Sequence, residues 1–448
     1  MISKYRPLGL LSMALLTAAS LSADELALTQ ESEGGLIHTK QKGRYESVRV
    51  LPERAESFDA AFVYAKPFAT FRIANVTTSE AGLLEYGIDA ESRYGTSVGG
   101  KFGLDTASLY GLHLHIGVYV SQAIQGLNPD DPNRQNLELF NSSGGSYTYI
   151  GEANIRYENS ILEAKAGRIS IETPFADSDD NRMSPNSFEG VWGQTDLDSD
   201  WQIELYYLTR WAGTDSGDDP ELFKPLVSGG YGLSGASLSY RLDENNGLSL
   251  WYYNIDKESD IIYAEAVGEW KFNERFHMEW GLQGAHIIER DGSGIEGDVL
   301  GAMVIADLHL VYFGLSYNHV FERDGKTITD GFGGGPYFTS LDEQTIGAVS
   351  ALSPGDDLYV YRLAAGVDLS SAGLSGFNAE VVHGNFNLDA SPAVAIETDV
   401  VITYTITERW YFDMTFADVD IRYMDYTDSG NRELRDFQRL VIRLDYSF

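Results

Sequence analysis

Short segments in which apolar and polar residues alternate recur along nearly the whole of this 448-residue chain. The last segment has an apolar side chain at every second position, at Leu440, Ile442, Leu444, Tyr446 and Phe448. Because successive side chains of a β-strand point to opposite faces, this pattern predicts a strand with one apolar and one polar face. A soluble sheet packed on a core can produce the pattern in one strand, so its repetition is the informative observation.

The same template predicts eighteen strands. They lie near residues 66–77, 92–104, 109–121, 147–158, 160–171, 187–195, 201–211, 230–242, 247–255, 259–271, 275–288, 295–307, 309–321, 358–370, 375–385, 393–405, 409–421 and 434–448. Very short connections strictly alternate with longer ones, which include residues 122–146, 172–186, 212–229 and 322–357. Short turns on one side and long loops on the other are typical of outer-membrane barrels. The sequence therefore predicts an all-β, antiparallel transmembrane barrel, with eighteen strands favoured and sixteen left open.

The size of the predicted barrel decides whether it holds a channel. A barrel of about eight strands is filled by its own side chains, whereas one of about 16 to 18 strands leaves an aqueous pore. The composition agrees, with 27 Tyr and 21 Phe but only 12 Pro, because barrels use interface aromatics and exclude Pro from their ladders. The formal charge of −35 argues against a nucleic-acid partner. We expect a water-filled channel for passive diffusion of small polar solutes and ions.

The N-terminus has the layout of a secretory signal peptide, in which Lys4 and Arg6 precede an apolar stretch and small residues ending near Ala23. No later apolar run is long enough for a transmembrane helix. The predicted domains are a signal peptide at 1–23, a periplasmic extension at 24–65 with a short helix near 56–65, and the barrel at 66–448. The extension is too short to form the folded plug of a larger receptor barrel.

Three stretches carry a family resemblance. They are GRISIETPFADSDDNRMSPNSFEGV at 167–191, YLTRWAGTDSGDD at 207–219 and GFGGGPYFTSLDE at 331–343. They resemble the Opr family of porins, the OprD-like channels, and in particular the type of epsilon-class proteobacteria that is related to their major outer-membrane protein. The resemblance implies an eighteen-stranded barrel, often trimeric, with an inward third extracellular loop, here 172–186, and wall arginines that bind substrate carboxylates. The resemblance extends loosely from about Phe58 to Phe448. Phe448 itself resembles the C-terminal aromatic residue that the barrel-insertion machinery recognises.

The predicted inward loop carries three carboxylates, at Asp177, Asp179 and Asp180, followed by Arg182. Carboxylates opposite guanidinium groups create a transverse field that orients dipolar solutes and biases ion passage. Glu189, in the same matched block, completes this predicted constriction set. Two alternatives stay open: a solvated acidic loop closed by Asx turns, and a Ca²⁺ site at Asp177 and Asp179, since hard cations take several oxygen ligands.

Alternation places a second set of charged residues on the lumen face of the strands. This set is Glu152, Glu204, Arg210, Arg362, Asp413, Arg439 and Arg443. A charge that faces lipid at mid-depth costs about 2–4 kcal/mol, so the assignment to the water-filled side has a physical basis. Such charges either act on solutes or only pair with each other to hold the wall. The eight histidines show no metal-ligand spacing, and no catalytic or cofactor motif is found, so we expect neither an enzyme nor a bound cofactor.

Two functions remain to be separated. The first is a diffusion channel, either weakly cation-preferring because of the acidic excess or selective for small nutrients. The second is a structural or adhesive barrel whose loop 322–357 meets other cells. The expected partners are small polar solutes, outer-membrane lipid, lipopolysaccharide and the barrel-insertion machinery, and a homotrimer is suggested by the resemblance alone.

Overall fold

The computed structural model describes residues 54–80, 92–391, 394–424 and 432–448. Eighteen long antiparallel strands form its main sheet: β1 Lys66–Glu80, β2 Ser92–Asp105, β3 Leu112–Ala123, β4 Tyr147–Glu158, β5 Leu162–Ile169, β6 Ser187–Asp196, β7 Trp201–Ala212, β8 Leu233–Arg241, β9 Gly247–Ile255, β10 Ser259–Asn273, β11 Phe276–Glu289, β12 Gly297–Asp307, β13 Val311–Glu322, β14 Leu358–Asp368, β15 Phe377–Leu388, β16 Val394–Thr405, β17 Trp410–Met424 and β18 Arg432–Ser447. Each strand pairs with the next along the chain, and β1 also pairs with β18. The sheet is therefore a closed barrel.

The strand prediction is confirmed, and the count of eighteen is settled against sixteen. The alternation located the strands because the lipid-facing side chains of a strand must be apolar, whereas the lumen-facing side chains between them can be polar. Phe71 and Ile73 on β1 are exposed, whereas Arg72 and Ala74 between them are buried. Strands and turns thus follow directly from the period-two pattern.

Two short helices accompany the strands, α1 at Phe58–Val63 and α2 at Ile346–Ser350. Ser57 caps α1 by accepting the Ala60 backbone N–H at 3.2 Å, which satisfies one donor of the first turn. Within the described ranges, no helix is long and apolar enough to cross a membrane. The predicted signal peptide, residues 1–23, and the predicted extension up to residue 53 lie outside the described residues.

Long loops on the side opposite the short turns fold into the barrel. We name them L2 (124–146), L3 (170–186), L4 (213–232) and L7 (323–357). The apolar side chains of L3 and L7 pack against the inward faces of the strands from β7 to β16 in one large buried cluster. Leu139 and Phe140 of L2 pack against Ala74 and Val76 of β1 in a smaller one. The lumen is therefore narrowed by loops that are bound to the wall.

L3 crosses the lumen from one wall to the opposite one. The Phe175 ring contacts the rings of Tyr253 on β9 and Tyr263 on β10, with centroids 5.1 and 5.7 Å apart. Five residues later, Asp180 contacts Arg72 on β1. Because β9 and β10 lie half a ring of strands away from β1 and β18, this segment spans the barrel interior. The inward third loop that the resemblance implies is thus present.

L7 docks on L3 through backbone hydrogen bonds. The Phe332 N–H donates to the Phe175 carbonyl at 2.9 Å, and the Asp177 N–H donates to the Phe332 carbonyl at 2.8 Å. Gly331, with φ +78, permits this approach, because a Cβ there would lie 2.3 Å from the Phe175 carbonyl oxygen. The adhesive alternative required the loop 322–357 to meet other cells. Its central part instead lies inside the barrel, and residues 323–325 at its start are exposed.

Candidate channel constriction

The tip of L3 is held to the wall by a buried arginine of β1. Arg72 donates to both oxygens of Asp180, at 2.6 and 2.9 Å, and to both oxygens of Asp445 on β18, at 2.9 and 2.7 Å. Two-point contacts of this kind are the strongest guanidinium–carboxylate geometry. Arg443 on β18 binds Asp413 of β17, with the shortest contact at 2.7 Å, and also donates to the Asp180 carbonyl. The L3 tip therefore sits on a fixed ionic support.

A second ionic cluster joins L2, L3 and L7, and it lies nearer to the long-loop end of the barrel than the first cluster does. Glu138 of L2 accepts from Arg182 of L3 at 2.8 Å and from Arg439 of β18 at 3.1 Å. Arg439 also binds Asp342 of L7 at 2.9 Å and contacts Glu343. The three loops thus converge on β18 through alternating charges, although they are far apart in sequence.

The carboxylates are the accessible members of these clusters. The side chains of Arg72 and Arg439 are only 3% and 9% exposed, whereas those of Asp180 and Glu138 are 22% and 30% exposed. Charges that water reaches dominate the potential that a passing ion meets, because buried pairs cancel at short range. At this level the lumen therefore presents acidic groups, with their arginines behind them.

These loop carboxylates stay ionised. Burial raises the pKa of Glu138, but the charges of Arg182 and Arg439 outweigh it and hold the pKa at about 2. Burial likewise raises the pKa of Asp180, and the Arg72 charge and hydrogen bonds reverse the shift, leaving the pKa below its usual value. The negative charge at the L3 level is therefore permanent at neutral pH.

Below the L3 tip, towards the short turns, the wall presents charges of both signs, and the Asp105 carboxylate beside His115 is 48% exposed. Lys101 of β2 binds Glu152 of β4 at 2.6 Å, and the lysine is 32% exposed against 6% for the carboxylate. His115 and Tyr119 of β3 also contact Glu152. On β5, the Lys165 ammonium lies 4.8 Å from the Trp192 ring centroid. This wall therefore presents accessible lysines beside aromatic rings, together with the exposed carboxylate of Asp105.

The structure brings part of the predicted constriction set together. Asp180 and Arg182 lie in the ionic clusters described above. Asp177 is buried, and its backbone joins L3 to L7. Asp179 is half-buried and accepts a hydrogen bond from Asn181 of the same loop at 3.0 Å. Among the described residues, no group of three or more acidic or histidine side chains is arranged as a metal site.

Most of the predicted wall residues face the lumen. Asp413, Arg439 and Arg443 lie in the two ionic clusters, and Glu152 binds Lys101 below them. Glu204 of β7 accepts from the Trp192 indole at 2.8 Å. Arg362 of β14 lies between the exposed outer residues Tyr361 and Leu363, which places it on the lumen face.

Two assignments were wrong, for Arg210 and Glu189. Thr209 is an extra residue in β7, where the register passes from Glu189↔Arg210 to Gly190↔Leu208, so alternation fails there. The ring of Trp211 stacks on Phe188 and contacts Phe332 of L7, so Trp211 points inward. Arg210, its neighbour, therefore points to the outer face, with its side chain 47% exposed. Glu189 lies on β6 with the outward parity of the exposed Val191, and it binds Arg210 at 3.2 Å and Arg168 at 3.1 Å.

Sequence reasoning missed Arg72, Lys101, Glu138 and Asp342. Arg72 and Lys101 could have been found, because each lies on the polar parity of a predicted strand next to an apolar outward residue. Glu138 and Asp342 lie in long loops without periodicity. Only the folded loops bring them to β18.

A closed eighteen-stranded barrel with inward loops and a charged lumen defines an outer-membrane diffusion porin. The family of outer membrane porins called OprD matches residues 85–341, and the chain belongs to this family. OpdK of Pseudomonas aeruginosa, solved with vanillate, is similar, with a TM-score of 0.66 at 15% identity over 86% of this chain and 99% of that one. OpdQ of the same organism gives 0.65 at 14% identity over 87% and 99%. A BenF-like porin of Pseudomonas fluorescens Pf-5 gives 0.66 at 11% identity over 86% and 99%. No curated protein matches the chain.

Proposed function

We propose that this porin is a selective channel for small solutes that carry a carboxylate together with a cationic or strongly polar group, and that its constriction prefers cations. The observation that carries the proposal is the order of exposed charge along the lumen. Accessible carboxylates lie at the L3 level, and accessible lysines lie below them. A dipolar solute therefore meets both signs in sequence, and a small cation meets its attractive groups at the narrow level first.

The cation preference follows from the count of charges at the L3 level. The guanidinium groups of the two ionic clusters are outnumbered by their carboxylates, which are Glu138, Asp180, Asp342, Glu343, Asp413 and Asp445. The excess is negative, and the exposed members are acidic. We expect the permeability of K⁺ to exceed that of Cl⁻.

The part of the proposal that concerns carboxylates is supported by Lys101. Its ammonium lies 5.3 Å from the Phe68 ring centroid and 5.8 Å from that of Tyr119, so a cation stands beside two aromatic faces. Vanillate, the compound solved with OpdK, is an aromatic carboxylate of matching chemistry. An aromatic or other small carboxylate is therefore the solute class we would test first.

Reversal potentials in planar bilayers under a salt gradient test the cation preference. The double variant Glu138→Gln, Asp342→Asn should lower the preference for K⁺ over Cl⁻ severalfold. Asp298→Asn is the matched control, because Asp298 lies on the outer face of β12 beside the exposed Leu300, and it should leave the preference unchanged. A wild-type channel that prefers Cl⁻ would refute the proposal.

Liposome swelling tests the solute class. Lys101→Gln should slow the entry of a small carboxylate while leaving that of a neutral sugar unchanged. Lys257→Gln, on the turn between β9 and β10, is the control for general effects of removing a lysine. Equal slowing of both solutes would show that Lys101 supports the wall and does not act on the solute.

Several finer assignments rest on resemblance and remain proposals. We propose that the chain is of the epsilonproteobacterial type and that Phe448 is the signal read by the insertion machinery. The homotrimer and the calcium site at Asp177 and Asp179 are open to direct measurement, by mass determination and by calcium titration of thermal unfolding.

A further inference from the structure

Two arginines point outward at the long-loop ends of the strands β5 and β7. Arg168 has the outward parity of the exposed Leu162 on β5, and the bulge at Thr209 turns Arg210 to the outer face of β7. Their side chains are 35% and 47% exposed. Glu189 lies between them on β6 and binds both, at 3.1 and 3.2 Å. Two cations therefore share one carboxylate on the lipid side of the wall.

Loop L4 holds the two guanidinium groups in place. The Arg168 guanidinium carbon lies 4.2 Å from the Phe223 ring centroid, and Arg210 donates to the Phe223 carbonyl. Arg168 also donates to the Ile150 carbonyl of β4 at 2.7 Å. Because each guanidinium carries several N–H donors, these contacts and those to Glu189 engage only part of them. The fixed pair can therefore donate to a further acceptor.

Two other exposed arginines of the outer rim are each matched by their own carboxylate. Arg290, which follows β11, binds Asp260 at 2.8 Å. Arg323, which follows β13, binds Asp298 at 2.8 Å. The pair on β5 and β7 has one carboxylate between its two members, so these ion pairs leave a positive excess there. In a chain with a formal charge of −35, such a local excess indicates an anionic ligand.

An apolar groove of about 480 Å³ lies on the same outer face, on the side of the arginines towards the short turns. Val191 lies in the row next to Glu189, two residues or about 7 Å along β6, and Gly193 lies one row further. A Cβ at Gly193 would find its nearest neighbour at 3.4 Å, so the floor of the groove has room for more atoms. Most of the lining residues point outward, and these include Leu162, Val191, Gly193, Ile203, Leu205 and Tyr207. The groove therefore suits a hydrocarbon chain.

We propose that the groove and the two arginines bind one molecule of lipopolysaccharide, with an acyl chain in the groove and a lipid phosphate on Arg168 and Arg210. The long loops of such a barrel face the outside of the cell, so the arginines lie at the level of the outer-leaflet headgroups, where this phosphorylated glycolipid is the main lipid. Guanidinium groups bind phosphate oxygens at two points, which gives a fixed geometry. An apolar groove that ends at an arginine pair is complementary to a hydrocarbon tail with an anionic head. The proposal assigns one defined site, beyond the general contact of the wall with lipid.

Native mass spectrometry of the barrel in detergent, titrated with purified lipid A, tests the site. Arg168→Gln combined with Arg210→Gln should lower the affinity about tenfold or more, because hydrogen bonds between charged groups are among the strongest in proteins. The matched control is Arg290→Gln combined with Arg323→Gln, which removes the same charge from the outer rim and should leave the affinity unchanged. Equal losses in both double variants would show unspecific attraction and overturn the proposal.

A second variant tests the groove separately from the charge. Gly193→Leu fills the groove without replacing an arginine, and it should lower the affinity for lipid A severalfold. Gly284→Leu is the matched control, because Gly284 is a glycine on the outer face of β11 with the parity of the exposed Leu282. Unchanged single-channel conductance confirms that the variants are folded, since the changed residues lie outside the lumen. Unchanged affinity in Gly193→Leu, or equal affinity of the wild type for phosphatidylglycerol, would overturn the assignment to lipopolysaccharide.

Discussion

Asp180→Asn should release the tip of L3 from the wall. The wild-type carboxylate accepts two charge-assisted hydrogen bonds from Arg72, which is itself buried and also bound to Asp445. Net contributions of hydrogen bonds to charged groups are about 1.5–3 kcal/mol each. The replacing amide keeps only one of the two acceptor oxygens and carries no charge, and Arg72 keeps Asp445, so we expect a loss of about 2 kcal/mol. At about 1.4 kcal/mol per factor of ten, the released loop becomes roughly thirty times more populated.

Single-channel recording in planar bilayers measures this change. The variant should show brief steps to a higher conductance, and its preference for cations should fall during those steps. Asp179→Asn is the matched control, because Asp179 is an adjacent carboxylate of the same loop that hydrogen-bonds to Asn181 within it. The control should show no steps to a higher conductance, because it leaves the contact between Arg72 and Asp180 in place.

A double-mutant cycle with Arg72→Gln tests the reasoning further. If the two side chains act through each other, the double variant should be less perturbed than the sum of the single variants. Conductance, noise and selectivity of Asp180→Asn equal to those of the wild type would refute the assignment of this ion pair as the support of the constriction.

Three further results are expected. The ion pairs of Glu138 with Arg182 and Arg439 should weaken as the pH falls from about 4.5 towards about 2. A carboxylate whose pKa is lowered in the folded state stabilises the fold above its ordinary pKa, and this effect is lost when the group is protonated. The current noise should rise in this pH window, and Glu138→Gln should remove the pH dependence. Gly333→Ala should loosen the junction of L3 and L7, because Gly333 has φ +116 and a Cβ there would lie 2.6 Å from the Asp177 carbonyl oxygen. The thermal unfolding temperature should fall by several degrees, and an unchanged unfolding transition would contradict this prediction. Phe448→Ser should reduce the yield of assembled barrel in the outer membrane, and a normal yield would remove its assignment as an insertion signal.

The sequence predicted the wall of the barrel because the wall obeys one local rule. Leu440, Ile442 and Leu444 must face lipid, and Arg439 and Arg443 must avoid it, so the residue types alone report the face. The same rule failed at Thr209, since one inserted residue reverses every later side chain of the strand. Nothing in the local residue types near Arg210 marks that insertion. Bulges are therefore the points where alternation cannot be extended without the structure.

The amino-acid sequence by itself determined the positions and order of the strands and the separation of a lipid face from a lumen face, because these depend on solvent contact at each residue. The closed ladder from β1 to β18 settled their number. The tertiary structure alone decided which loops enter the lumen and which charges meet there. Glu138, Asp180 and Asp342 are far apart along the chain, and each binds an arginine of β1 or β18 only after the loops have folded inward. Selectivity depends on that convergence, since the field in a pore is set by distances between side chains and not by their order in the sequence.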